Sequence, residues 1–129
     1  MASIILADDM LTVRHNLGLI LSAYDYKIVA EADNCVEAIE LTREKDPDIL
    51  IIDILGMNSY FSELDKEIDT FDTIEILLKE KKDRKIIVLT ATPKENYLKK
   101  AILMGAKCFL VKGASNDQII KTIEKTLKI

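Results

Sequence analysis

The sequence predicts an α/β domain built on a doubly wound sheet of five parallel strands. Five short runs of strand-like residues are separated by segments whose apolar residues repeat with helical spacing. Most of these runs are continuously apolar, which is typical of parallel strands covered by helices on both faces. Right-handed crossovers between successive strands then produce an open sheet sandwiched between helices.

Each predicted strand is too short to be a buried helix. The strands are Ile4–Ala7, Lys27–Ala32, Ile49–Ile52, Ile86–Leu89 and Cys108–Val111, of which the second is the weakest. We expect the spatial order 2-1-3-4-5, the order of flavodoxin-like folds.

The first three helices are predicted from their apolar faces. The first follows Asp9 and repeats apolar residues from Val13 to Tyr24. The second and third patterns are Val36–Lys45 and Ile74–Lys81.

Recognisable end signals mark the last two helices. A helix over Pro93–Met104 is predicted to have Thr92 and Glu95 as a capping box, Pro93 at its first position and Gly105 as its stop. Ser115 and Gln118 form the same kind of box before a final helix with an apolar face.

Length and composition indicate one globular domain over residues 1–129. The chain is 49% hydrophobic and its net charge is −4, so it lacks the positive field that holds nucleic acid without sequence preference. Cys35 and Cys108 have no metal-ligand spacing and are interpreted as buried thiols in a reducing compartment. Since the chain has no predicted signal peptide or membrane span, we expect a cytoplasmic protein without membrane contacts.

Polar residues follow four of the five predicted strands. Asp8 and Asp9 end the first run, Asp53 the third, Thr90 the fourth and Lys112 the fifth. In the order 2-1-3-4-5 these ends are neighbours on one rim of the sheet, where open α/β sheets bind ligands. Three carboxylates, a hydroxyl and an amine are therefore expected to converge.

Such a cluster needs a cation. Two like charges about 4 Å apart repel by about 4 kcal/mol at an effective dielectric constant of about 20, and Lys112 offsets only one of three carboxylates. Carboxylate oxygens select a hard divalent ion such as Mg²⁺, which accepts phosphate oxygens as further ligands. An Asp beside Mg²⁺, Lys and a hydroxyl is suited to forming an aspartyl phosphate.

Taken in order at the strand ends, these residues resemble the receiver domain of response regulators, in particular the chemotaxis-type single-domain receivers. The resemblance covers nearly the whole chain. It implies that Asp9, helped by Asp8, holds Mg²⁺ together with Asp53 and the backbone carbonyl of Leu55. Asp53 would be the phosphoacceptor.

The same resemblance implies a switch and its partners. Lys112 would stabilise the transferring phosphoryl oxygens, Thr90 would turn to bond the phosphoryl group, and Phe109 would fill the space that Thr90 leaves. The surface of the fourth helix, fifth strand and fifth helix would change. A sensor histidine kinase or phosphotransfer protein would be the donor and a downstream protein the target, with phosphorylation-dependent homodimerisation as a further possibility. The domain would accept phosphoryl groups without being a turnover enzyme.

Three features depart from the family pattern. An insertion within residues 56–72 follows Asp53. The helical spacing of Leu64, Ile68 and Phe71 predicts an extra turn or short helix over the site instead of a disordered loop, acting as a lid or partner contact. Gly113 replaces the usual proline after Lys112, so a trans bond is expected. Leu55 cannot orient a water, which predicts slow self-dephosphorylation.

Other interpretations of these residues remain open at this point. Asp8 or Asp9 could cap the first helix, Phe109 could be a core residue, and His15 is expected at the surface. An Asp-based phosphatase would want a second acid where Leu55 stands, and a flavodoxin-like cofactor binder would want a phosphate loop where Asp8 and Asp9 stand. A receiver-like interaction module that works without phosphorylation is the remaining alternative.

Overall fold

The structure is a computed structural model that describes residues 1–91 and 94–129. Its strands are β1 (Ser3–Ala7), β2 (Lys27–Ala32), β3 (Ile49–Asp53), β4 (Ser59–Phe61), β5 (Lys66–Ile68), β6 (Ile86–Thr90) and β7 (Cys108–Val111). Its helices are α1 (Leu11–Ala23), α2 (Cys35–Lys45), α3 (Thr70–Glu80), α4 (Glu95–Leu103) and α5 (Asn116–Leu127).

The main sheet has the order β2-β1-β3-β6-β7, and every neighbouring pair is parallel. In the sequence, β4 and β5 lie between β3 and β6, but they form a separate antiparallel pair. The strands β6 and β7 are therefore the fourth and fifth of the main sheet, which confirms the predicted order 2-1-3-4-5. All five predicted strands are present within one residue of their predicted bounds.

The core lies on both faces of the sheet, which explains why its strands are continuously apolar. Along β1, Ile5 and Ala7 pack towards α2, α3 and α4, whereas Ile4 and Leu6 pack towards α1 and α5. Burying each such large aliphatic side chain contributes about 1.5–3 kcal/mol.

Side-chain caps fix several helix starts. The Ser115–Gln118 capping box is present, and Asp69 and Asp72 form a second one at the start of α3. The described part of the fourth helix begins at Glu95. The predicted cap at Thr92 and Pro93 lies outside the described residues.

The insertion is ordered, as predicted, but it forms a hairpin, so the predicted short helix is wrong. Residues 59–68 form the β4–β5 hairpin, with Ser59 opposite Ile68 and Phe61 opposite Lys66. Phe61 and Ile68 are buried while the residues between them are exposed. Asp65 takes the left-handed conformation at the turn (φ +50°), and α3 starts at Thr70, earlier than predicted.

Arg43 of α2 fixes the hairpin from the side. Its guanidinium lies 2.9 and 3.0 Å from the two carboxylate oxygens of Glu63 and bonds Glu80 of α3. The same group lies over the ring of Phe61, 5.7 Å from its centre. Because one cation contacts the hairpin and α3 together, the hairpin is held against the domain. Whether it acts as a lid or a partner contact stays a prediction.

The expectations for the two cysteines, His15 and the peptide bond after Lys112 are confirmed. Cys35 and Cys108 are buried free thiols, and His15 is exposed. The Lys112–Gly113 peptide bond is trans.

Within the two described ranges, no helix combines the length and apolar character needed to cross a bilayer.

Gly105 should be intolerant of a side chain. It has φ +113°, and a Cβ there would stand 2.5 Å from Leu78 Cδ1. We expect Gly105→Ala to lower the free energy of unfolding by about 1–2 kcal/mol in urea denaturation. Gly18→Ala is the matched control: its Cβ would meet Leu6 at an ordinary 3.8 Å inside α1, so a gain of about 0.5–1 kcal/mol is expected. Equal losses in both variants would contradict this interpretation.

Candidate functional site

Three charged side chains meet at the carboxyl ends of the central strands. Asp8 follows β1, Asp53 ends β3 and Lys112 follows β7. The ammonium of Lys112 lies 2.8 Å from Asp8 Oδ2 and 3.1 Å from Asp53 Oδ2. Asp8 is 1% exposed and Asp53 5% exposed, so two buried carboxylates share one cation.

Asp9 completes a three-carboxylate group. One carboxylate oxygen each from Asp8, Asp9 and Asp53 lies within 4.8 Å of the other two. Gly56 makes room for this approach, since a Cβ there would stand 3.1 Å from Asp9 Oδ2. Its φ of +79° is also one that other residues rarely adopt. The first residues of the insertion therefore shape the acidic site.

The buried charges perturb one another. Burial raises the pKa of Asp53, and the neighbouring Asp8 carboxylate adds to the effect, while Lys112 and the Leu55 amide only partly oppose it. Burial by itself lowers the pKa of Lys112, but its interactions with the Asp8 and Asp53 carboxylates outweigh this, and the pKa lies above its ordinary value. The site is therefore short of positive charge.

A divalent cation fits this donor set. Asp8 Oδ2 is fully buried and its contact with Lys112 is an ion pair outside hydrogen-bond geometry, so this oxygen retains capacity for another ligand. At separations up to 4.8 Å, the repulsion between the buried carboxylates is about 3 kcal/mol or more at an effective dielectric constant of about 20. An ion coordinated by these oxygens would relieve it.

Asp8 does not cap α1. Its Oδ1 accepts a hydrogen bond from the Met10 amide at 2.8 Å, but Met10 occupies the N-cap position and makes no side-chain cap bond. The capping interpretation of Asp8 or Asp9 is therefore wrong.

The remaining predicted residues surround the cluster. Thr90 is 3% exposed at the end of β6, and its carbonyl accepts the Lys112 amide at 2.7 Å. Leu55 is half exposed, and its amide acts to lower the pKa of the Asp53 carboxylate. Phe109 is 44% exposed on β7, so the interpretation as a core residue is wrong.

Two residues at the site were not predicted from the sequence. Arg14 of α1 donates to the Asp8 carbonyl at 2.6 Å and pairs with Glu31 of β2. Thr70 of α3 donates its hydroxyl hydrogen to the Asp53 carbonyl at 2.6 Å. Both act on backbone carbonyls through tertiary contacts, and no local sequence pattern marks such a contact.

Comparison with known proteins finds similarity to one protein family over most of the chain. The model of the response regulator receiver domain matches residues 4–124. The chain is 30% identical to the chemotaxis protein CheY of Thermotoga maritima over 125 residues, 97% of each chain.

Another relative is longer than this chain. The transcriptional regulatory protein YdfI of Bacillus subtilis is 31% identical over 129 residues, which are 99% of this chain and 56% of YdfI. The chain thus spans just over half the length of that relative. Among solved structures, the signal receiver domain of NarL from Mycobacterium tuberculosis superposes with a TM-score of 0.86 at 21% identity, covering 98% of this chain and 96% of the other, which shows the shared fold.

The raised pKa of Asp53 predicts that its charge destabilises the metal-free protein. Because the folded-state pKa lies above the ordinary 3.8, the unfolded state ionises first and stability falls as pH rises from 3.8 to the raised value. In chelator, Asp53→Asn should therefore be more stable than the wild type above this range, and the difference should shrink below pH 3.8.

Urea denaturation across this pH range measures the difference. Asp83→Asn is the control, since Asp83 is exposed and its removal should change stability little. A pH-independent difference between wild type and Asp53→Asn would contradict the prediction.

Proposed function

The chain belongs to the response regulator receiver family, and from this premise we propose that it is a phosphoacceptor switch of two-component signalling with Asp53 as acceptor. The observation that carries the proposal is the buried Asp53 carboxylate, held 3.1 Å from Lys112 beside the carboxylates of Asp8 and Asp9. An acceptor carboxylate needs adjacent positive charge to receive a phosphoryl group, and Lys112 supplies such a charge beside Asp53.

The reaction transfers one phosphoryl group to Asp53. A carboxylate oxygen attacks phosphorus, a P–O bond forms to Asp53, and the bond from phosphorus to the donor's nitrogen or oxygen breaks with its electron pair leaving on the donor. Lys112 is placed to stabilise the transferring oxygens. The donor is a phosphohistidine of a sensor histidine kinase or phosphotransfer protein, or a small phosphodonor.

Mg²⁺ is the cofactor in this proposal. Asp8, Asp9 and Asp53 would hold it together with the carbonyl of Leu55, and three carboxylates within 4.8 Å support that donor set. When bound, the ion neutralises charge on the acceptor and on the incoming phosphoryl oxygens. Lys112 and the Leu55 amide orient the Asp53 carboxylate for attack.

Phosphorylation is read out on the surface of α4, β7 and α5. Thr90 is buried at the strand end and would bond the phosphoryl group after turning inward. Phe109, half exposed on β7, would then move into the space that Thr90 vacates. A downstream protein would recognise the changed surface, or a second phosphorylated copy would dimerise through it.

The domain is proposed to be a stoichiometric acceptor in the cytoplasm and not a turnover enzyme. Its net charge of −4 argues against nucleic-acid binding by this domain alone. The alternative is a receiver-like module that binds partners without phosphorylation. The hairpin in the loop between Asp53 and α3 is the observation that favours it, because an altered loop can restrict access of a donor.

Incubation with Mg²⁺ and acetyl phosphate tests the proposal. We expect intact-protein mass spectrometry to detect one added phosphoryl group, lost in Asp53→Asn and in chelator. Asp83→Asn, which changes an exposed carboxylate, should be labelled like the wild type. Failure of the wild type to gain a phosphoryl group from either acetyl phosphate or a cognate kinase would favour the interaction module.

Leu55 should give the acyl phosphate a long lifetime. Its apolar side chain cannot orient a water molecule, whereas an amide in the same half-exposed position can. We expect Leu55→Asn to shorten the phosphoryl lifetime by about tenfold. Leu55→Met, which stays apolar, should leave it unchanged. The lifetime is measured as the decay of the phosphoryl mass after the donor is removed. An unaltered lifetime in Leu55→Asn would overturn this expectation.

A further inference from the structure

The peptide group between Asp53 and Ile54 is held from both sides. The Ile54 amide donates to the Leu89 carbonyl of β6 at 2.9 Å, and the Asp53 carbonyl accepts the Thr70 hydroxyl at 2.6 Å. The acceptor residue is therefore fixed through its backbone as well as through its carboxylate.

The Asp53 carbonyl depends on Thr70 because the sheet ends there. In a trans peptide the N–H and C=O point in opposite directions, so the carbonyl faces away from β6 and towards the β1 side. On that side the β1–β3 pairing stops at Ala7 and Ile52. A buried carbonyl at a strand end needs another donor, and Thr70, 1% exposed, supplies it.

Thr70 is itself well fixed. It is the first residue of α3, directly after the Asp69 cap, whose side chain accepts the Asp72 amide at 2.9 Å. Its hydroxyl lies 3.9 Å from the thiol of Cys35, which is fully buried on α2. The hydroxyl therefore has a defined position relative to the sheet.

The Thr70–Asp53 bond also joins the two ends of the segment that contains the hairpin. Residues 54–69 begin immediately after Asp53 and end immediately before Thr70. The β4–β5 hairpin lies within this segment and is anchored by buried Phe61 and Ile68. The second strand of the hairpin ends at Ile68, so only the capping residue Asp69 separates it from Thr70.

We propose that Thr70 is a positioning residue for phosphoryl transfer, holding the Asp53 backbone so that its carboxylate faces Lys112 and the Leu55 amide. This inference rests on the proposed function. It gives Thr70, which directly follows the segment that contains the hairpin, a role at the acceptor through the Asp53 backbone.

The test compares three variants. Thr70→Val removes the hydroxyl and keeps the branched shape, and Thr70→Ser restores the hydroxyl. Thr73→Val is the matched control: Thr73 lies on the same helix, is fully buried, and donates to the Asp69 carbonyl at 2.9 Å without contacting Asp53. Each valine variant therefore loses one hydroxyl–carbonyl bond made by a buried threonine.

The first readout is the initial rate of acyl-phosphate formation from acetyl phosphate with saturating Mg²⁺. We expect Thr70→Val to be slower by about tenfold, with Thr70→Ser and Thr73→Val within about twofold of the wild type. The second readout is hydrogen exchange at the Ile54 amide, which should accelerate in Thr70→Val and stay protected in Thr73→Val.

The outcomes separate the two proposals. A wild type that takes up the phosphoryl group while Thr70→Val keeps the full rate would overturn the positioning role alone. Equal slowing in Thr70→Val and Thr73→Val would also overturn it, since the effect would then be one of general destabilisation. A wild type that takes up no phosphoryl group would overturn the proposed function and this inference with it.

Discussion

The site depends on one ammonium, that of the partly buried Lys112, which is shared by two buried carboxylates. Asp8, Asp53 and Lys112 come from the ends of β1, β3 and β7, so the contacts form only when the whole sheet is assembled in register. Lys112 neutralises part of the negative charge and leaves the remainder as an electrostatic demand for a cation or a positively charged partner. Folding thus places more negative than positive charge at the carboxyl ends of the strands, and the proposed metal binding depends on this excess.

The fold and the acidic cluster were predictable from the sequence for the same reason. Strands buried on both faces must be continuously apolar, so β3 and β6 could be recognised in the sequence. A polar residue at the end of such an apolar run marks the end of the strand. Asp53 and Thr90 were located this way. Strand order then placed these ends side by side without any knowledge of side-chain geometry.

The hairpin could not be predicted because its signal is too short. Over so few residues, Leu64, Ile68 and Phe71 match a helical repeat by chance, while the strands that form are three residues each. Asp65 turns the chain in a left-handed conformation that its residue type permits but does not require. Arg14 and Thr70 escaped prediction for a different reason, since each acts on a carbonyl brought near only by tertiary folding.

The way the hairpin is joined to the domain has a consequence for how its length can vary. Asp53 and Thr70 are in contact, so the folded domain already holds the two ends of the intervening segment together. Most of the entropy cost of closing this loop is therefore independent of what the loop contains. Doubling a closed loop costs only about 0.6 kcal/mol more. The exposed tip beyond Glu63, at Leu64 and Asp65, can thus accept extra residues with little loss of stability, which makes it a suitable point for grafting a foreign peptide into the chain.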